Sequence, residues 1–133
     1  VDEHEARRRF GVSRVARLAS VTPHGGPHLV PVTFAVSGDT LWTAVDGKPK
    51  SGTRLQRLAN VGGEPRVSLL VDHYEDRWER LWWVRADGTA IVHESSATGL
   101  DTLGAKYEQY RALPPPGPFI EVTLTRWRWW SAS

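Results

Sequence analysis

The chain contains no cysteine, and this absence removes several kinds of chemistry at once. Without cysteine there is no disulfide framework, thiol nucleophile, thiolate zinc site or iron–sulfur cluster. The lack of disulfides agrees with a reducing cytoplasm. No apolar run approaches the roughly 20 residues needed to cross a bilayer, and residues 1–9 are too charged for a signal peptide. We therefore expect a soluble, cytoplasmic protein.

The five histidines show no metal-ligand spacing. The nearest pair, His24 and His28, straddles a predicted turn instead of sharing one face of a helix. A Walker A signature and a nucleophile elbow are also missing. The sequence therefore predicts no metal site, no P-loop and no Ser-His-Asp hydrolase.

Length and composition predict one globular domain over residues 1–133. The net charge of +2 is too small to indicate nucleic-acid binding by itself. Seven tryptophans are many for this length, and five of them cluster at 82–83 and 127–130. Such clusters indicate a core, a pocket wall or a subunit interface. Because Arg126 and Arg128 alternate with tryptophans, a face for single-stranded nucleic acid remains a disfavoured alternative.

Hydrophobic periodicity predicts three helices and about six strands. The helices are predicted at 2–10, 50–60 and 96–113, and the strands at 15–21, 28–36, 41–45, 66–72, 81–94 and 119–130. The first three strands, joined by short turns, read as a meander. This mainly β pattern favours a closed or nearly closed antiparallel barrel with a few short helices. At Asp87-Gly88 the pattern fits either a hairpin turn or a bulge in one long strand.

A basic turn between the third predicted strand and the second predicted helix is the main candidate for a binding site. It carries Lys48 and Lys50, and Arg54 follows one helical turn later. Free backbone N–H groups at a helix start, together with these cations, would hold a phosphate. The alternative is an ordinary solvated basic helix start.

Pro31 lies inside a predicted strand, although proline cannot donate to a strand ladder. It therefore indicates a sheet edge or a bulge, where backbone groups could face a ligand. The alternative is a simple kink in a barrel strand.

Six motifs occur in the order found in one known superfamily. They are RLASV at 17–21, GPHLVPV at 26–32, LWTAVD with KPK at 41–50, RLQRLAN at 54–60, PRVSLLV at 65–71 and WVRADGTA at 83–90. With these motifs the chain resembles the pyridoxamine-5'-phosphate-oxidase-like split β-barrel superfamily, and within it the deazaflavin-dependent oxidoreductases of actinobacteria. The resemblance implies a six-stranded antiparallel split β-barrel and one bent strand through Gly88.

The resemblance further implies a homodimer with two cofactor sites at the subunit interface. Lys50, Arg54 and Lys48 would hold the cofactor phosphate. The ring would lie against the backbone of Pro31, Val32 and Thr33, against the strand Thr43, Ala44 and Val45, and near Trp83 of the other subunit.

The implied activity is hydride transfer from reduced coenzyme F-420, an 8-hydroxy-5-deazaflavin, to an unsaturated small molecule. No C-terminal arginine motif for pyridoxamine phosphate is present, which disfavours vitamin B6 oxidation. The sequence identifies no catalytic residue, and water, His28 or Tyr74 remains open as proton donor. The alternatives are an FMN-dependent oxidoreductase and a non-catalytic flavin- or haem-binding module on the same barrel.

Overall fold

The computed structural model describes residues 1–45 and 56–133, together with the backbone of residues 53–55. Within these residues the chain forms four α-helices and seven β-strands. In chain order they are α1 (Glu3–Val12), β1 (Ala16–Val21), β2 (Pro27–Val32), β3 (Ala35–Ser37), β4 (Thr40–Ala44), α2 (Thr53–Gly63), β5 (Arg66–His73), β6 (Trp82–His93), α3 (Ala97–Lys106), α4 (Glu108–Ala112) and β7 (Phe119–Ser131). None of the described helices is long and apolar enough to cross a membrane.

All seven strands belong to one antiparallel sheet with the order β2-β1-β5-β6-β7-β4-β3. The predicted count of six is wrong because the predicted strand 28–36 is two strands. β2 pairs with β1, whereas β3 pairs with β4. The predicted meander is therefore also wrong, since β2 and β3 lie at opposite edges of the sheet.

The short link between β2 and β3 requires the sheet to curl. Only Thr33 and Phe34 separate the two strands. Consecutive α-carbons are 3.8 Å apart, so the ends of β2 and β3 lie within about 11 Å of each other. An open sheet whose two edges come this close is a barrel with one seam that is not hydrogen-bonded, in agreement with a split β-barrel.

The barrel interior is the main core. Alternate residues of β1, Ala16 and Leu18, face inward, and α1 covers this core with Phe10. The Phe10 ring packs edge-on against Phe34 and Trp127, with ring centroids 5.1 Å and 5.2 Å away. Trp127 is thus a core residue and not a stacking platform for nucleic acid. α1 continues through Gly11 to Val12, past the predicted end.

A second, smaller core lies outside the barrel, between the sheet and α3. Trp42 and Phe119 of the sheet pack there with Leu103 of α3 and with Tyr107. The predicted helix 96–113 is two helices, α3 and α4, because the backbone at Tyr107 is extended (φ −113°, ψ 116°). Ser96 is the N-cap of α3, since its hydroxyl accepts a hydrogen bond from Gly99 N at 2.9 Å.

The long strand β6 confirms the bulge in preference to the hairpin. Its pairing with β7 shifts between Asp87 and Gly88. A Cβ atom on Gly88 would lie 2.2 Å from the Thr123 carbonyl oxygen and 2.9 Å from Val122 Cγ1. Only glycine allows the backbones of β6 and β7 to approach this closely.

Replacing Gly88 tests this close approach. We expect Gly88→Ala to lower the free energy of unfolding by about 2–3 kcal/mol, because backbone must move to admit the methyl group. Gly11→Ala is the matched control, since a Cβ there meets nothing within 4 Å and alanine favours a helix. Urea unfolding measures both, and equal stability of the two variants would contradict the packing of β6 on β7.

Candidate functional site

The three cations that are predicted to bind a phosphate are the least described part of the candidate site. Lys48, Lys50 and the side chain of Arg54 lie outside the described residues. The helix predicted at 50–60 is confirmed from Thr53 onward and continues to Gly63. The assignment of the three cations to a phosphate stays a prediction.

Helix α2, which follows these cations, is fixed to the sheet by a buried polar contact. Asn60 is fully buried, and its side-chain amide donates to Ser20 Oγ at 3.1 Å. Gln56 donates in turn to Asn60 Oδ1 at 2.6 Å. Because a buried amide must keep its hydrogen bonds, this contact sets how α2 lies on β1.

Two segments predicted to line the ring meet at one corner of the fold. Thr43 Oγ1 donates to the Thr33 carbonyl at 2.7 Å, and Thr33 Oγ1 shares a hydrogen bond of 2.7 Å with the Tyr110 hydroxyl. The Val45 N–H donates to the Pro118 carbonyl at 3.0 Å. We refer to this arrangement as the threonine corner.

Most of the residues that are predicted to line the ring have side chains buried in the interior of the fold. Val32, Thr43, Ala44 and Val45 are buried, so any contact that they make with a ligand would come from their backbone. Pro31 is exposed on β2, an edge strand, which confirms the edge interpretation. Edge strands carry backbone groups that have no ladder partner, and these suit a ring with its own donors and acceptors.

Two residues that the sequence did not identify hold the threonine corner in place. The Tyr107 hydroxyl accepts from Phe34 N at 3.0 Å and donates to the Arg14 carbonyl at 2.8 Å. Lys106 Nζ donates to the carbonyls of Ser13 (2.6 Å) and Phe34 (2.8 Å). Neither hydrogen-bond role is visible in the sequence, because the partners are more than 70 positions away.

Burial shifts the pKa values of Lys106 and Tyr107. Loss of water around Lys106, reinforced by the positive charge of Arg14, lowers the pKa of Lys106 to about 8. Burial raises the pKa of Tyr107 above its ordinary value. The neutral amine of Lys106 retains two N–H groups, enough for both carbonyls, so deprotonation leaves the contacts possible.

A groove of about 470 Å³ lies on the outer face of β2, β1, β5 and β6, and none of the described helices contributes a residue to its lining. We call it the outer groove. It has apolar, aromatic and charged lining residues, including Leu29, Leu70, Tyr74, Trp83, Arg17, Arg85 and Asp72. Among these residues the sequence identified Trp83 as a ring contact and Tyr74 as one of the open candidates for proton donor. The others share a face only through the strand register.

Trp83 and the threonine corner are far apart within one chain. Trp83 pairs with Trp130 on β7, whereas Thr43 pairs with Ile120 on the same strand. Ten residues of strand span roughly 30 Å. A single chain therefore does not bring these two predicted ring contacts together.

The chemistry of the described residues fits a planar ligand that carries negative charge. The outer groove offers aromatic and apolar surface beside two guanidinium groups, and the edge strand offers unpaired backbone groups. The groove has no histidine in its described lining, and the chain has no cysteine or methionine. Among the described residues no group of histidine or acidic side chains could hold a metal ion.

Comparison with known proteins yields one family and several similar folds. The family described as pyridoxamine 5'-phosphate oxidase matches residues 2–131. A conserved hypothetical protein from Mycobacterium tuberculosis is 23% identical, with TM-score 0.75 over 99% of this chain and 86% of that one. A FAD-binding protein from Mesorhizobium loti is 19% identical (TM-score 0.71; 97% and 94% covered). A haem storage protein from Vibrio cholerae is 16% identical (TM-score 0.67; 97% and 93% covered). No curated protein matches the sequence.

The lowered pKa of Lys106 predicts how stability changes with pH. The folded pKa of about 8 lies below the ordinary value of 10.5, so between these values the unfolded chain binds more protons. The contribution of Lys106 to the free energy of unfolding therefore rises from about pH 8 toward pH 10.5. We expect the stability difference between the wild type and Lys106→Met, from urea unfolding at pH 7.5 and 9.5, to grow with pH. A pH-independent difference would contradict the burial of this ammonium group.

Proposed function

Because the chain belongs to the pyridoxamine 5'-phosphate oxidase family, we propose that it is an oxidoreductase that binds a flavin-type cofactor. We assign it to the deazaflavin branch, with coenzyme F-420 as hydride donor and an unsaturated small molecule as acceptor. FMN is the alternative cofactor. The observation that carries the proposal is the pairing of an exposed edge strand at Pro31 with an uncovered groove of aromatic and cationic side chains.

We propose that two copies of the chain build each site. Within one chain, the threonine corner and Trp83 lie beside opposite ends of β7, and both belong to the predicted ring contacts. A twofold dimer presents each surface twice, so the corner of one protomer can face Trp83 of its partner. The outer face supports this arrangement because it exposes Leu29, 67% accessible, on β2.

The chain's own residues bind and orient in this proposal. Bound reduced deazaflavin would supply the hydride, so no side chain needs to be a nucleophile. Lys48, Lys50 and Arg54 would hold the phosphate at the start of α2. The edge backbone at Pro31 to Thr33 would position the ring, and Trp83 would exclude water from one face.

A haem-binding module fits the outer groove less well. Haem iron takes an axial ligand from histidine, cysteine, methionine or tyrosine. The chain has neither cysteine nor methionine, and among its described residues the groove offers only Tyr74 of these ligand types. A protein that retains cofactor but reduces no enone, nitro or biliverdin-like acceptor would nevertheless favour a non-catalytic role.

Charge reversal at Lys50 tests the phosphate site. We expect Lys50→Glu to weaken deazaflavin binding roughly tenfold or more, since it replaces a charge-assisted contact by repulsion. Quenching of tryptophan fluorescence measures the affinity. Arg77→Glu is the control, because Arg77 pairs with Glu79 on an exposed loop and the charge change is equal.

Two outcomes would change the assignment. Unchanged affinity of Lys50→Glu would remove Lys50 from the site. Absorbance spectra after incubation with each cofactor and desalting decide between them, and retention of FMN alone would reverse the choice of deazaflavin.

Two exposed leucines test the proposed dimer. Leu29 lies on the outer face, whereas Leu113 follows α4 and is 79% accessible. We expect Leu29→Glu to yield monomers that lose cofactor affinity, because an unpaired carboxylate would be buried in the interface. Leu113→Glu should remain dimeric. Light scattering after size exclusion measures both, and a dimeric Leu29→Glu variant would exclude this face as the interface.

A further inference from the structure

Three arginines lie in one row across the outer face of the sheet. Arg17 on β1 is opposite Leu70 on β5, and Leu70 is opposite Arg85 on β6. On the far side, Arg85 is opposite Arg128 of β7. Adjacent strands are about 4.8 Å apart, so Arg17 and Arg85 flank Leu70 with roughly 10 Å between their α-carbons. Both arginines and Leu70 line the outer groove.

One of these arginines is braced by a carboxylate. Arg85 Nε donates to Asp87 Oδ1 at 3.0 Å, and Arg85 Nη2 donates to Asp87 Oδ2 at 3.3 Å. Ser68 Oγ donates to Asp87 Oδ1 at 2.8 Å and fixes the carboxylate in turn. A guanidinium held in this way keeps further N–H groups free and loses little conformational entropy when it binds an anion.

Local acids offset the row only in part: Asp72 lines the same groove but forms no ion pair with any described residue. Asp87 is committed to Arg85, and Arg128 donates to a neutral acceptor, the Trp127 carbonyl, at 3.1 Å. Arg17 forms no ion pair with any described residue. Arg85 and Arg128 repel each other because they lie directly opposite on adjacent strands. An anion above Leu70 would lie between Arg17 and Arg85 and offset the charge of both.

The shape of the outer groove restricts what such an anion is attached to. A volume of about 470 Å³ is in the range of small-molecule sites. Leu70 provides an apolar floor between the two arginines, and Trp83 and Tyr74 provide aromatic walls. Aromatic walls beside an apolar floor favour a planar, conjugated ligand.

We propose that Arg17 and Arg85 form an oxyanion site that holds the carboxylate or phosphate of a planar ligand against Leu70 and Trp83. The role of this site rests on the proposed function. In that role, the site lets the oxidoreductase select acceptors that carry an anionic group next to their conjugated system. Arg17 and Arg85 are then specificity-determining residues.

The test compares two probes that differ only in charge. trans-Cinnamate and trans-cinnamamide are planar, conjugated and nearly equal in shape, and calorimetry measures their binding to cofactor-free protein. We expect the wild type to prefer cinnamate roughly tenfold or more, with a preference that falls as ionic strength rises. Arg17→Gln and Arg85→Gln should remove most of this preference, whereas Arg17→Lys should retain part of it.

Arg66→Gln is the matched control, since Arg66 lies on the same strand as Leu70 but pairs with Glu64 outside the outer groove. It should leave the preference unchanged. Equal wild-type affinity for both probes, or an unchanged preference in Arg17→Gln, would overturn the oxyanion site. The Arg17 variant carries the test if loss of the Arg85–Asp87 pair unfolds the protein.

A second titration identifies the source of the anion. Cinnamate that still binds to protein saturated with deazaflavin supports the assignment to the acceptor. Competition between the two would overturn that assignment and give the site to the cofactor's own phosphate. A charge preference in a protein that binds neither cofactor would refute the proposed function while the oxyanion site stands.

Discussion

The fold depends on how the link between β2 and β3 satisfies its backbone. At Thr33 and Phe34 the chain passes from one edge of the sheet to the other. Their backbone groups therefore form no hydrogen bonds in either strand ladder. Phe34 is buried, and its N–H and C=O bond instead to the Tyr107 hydroxyl and to Lys106 Nζ. The Thr33 carbonyl accepts from Thr43. Because a buried backbone group without a partner costs about 1–3 kcal/mol, these side chains make the edge-to-edge crossing possible.

The same crossing divides the outside of the barrel into two unlike surfaces. The residues that satisfy the link lie at the junction of α3 and α4, so they hold α3 against the outer side of β4 and β7. This covers Trp42 and Phe119 with Leu103. The groove on the outer side of β2, β1, β5 and β6 has no lining residue from the described helices. Contacts that close the fold on one side therefore leave the candidate site open on the other.

The sequence predicts what depends on neighbouring residues and misses what depends on distant ones. Alternation in β1, the serine cap of α3 and the long bent β6 follow from local pattern or from family resemblance. The break between β2 and β3 has no local signal, because apolar alternation continues through it. The Tyr107 hydroxyl, which accepts a hydrogen bond from Phe34 N at this break, is 73 positions away in the sequence. The candidate site shows the same difference between local and distant signals. Pro31 marks an edge by its own chemistry, whereas Arg17 and Arg85 come together only through the register of three strands.

That register also places an arginine row on the outer face of the sheet, where the proposed oxyanion site lies. A face that must receive an anion cannot neutralise its own cations without losing the ligand's contribution. Asp87 is positioned beside Arg85 rather than above Leu70, so it orients one guanidinium and leaves the groove floor free. Repulsion between these exposed charges lowers the stability of the ligand-free chain. The same guanidinium groups are hydrogen-bond donors that are already positioned for a ligand. A surface with this charge pattern is built to bind a ligand and contributes little to holding the barrel together.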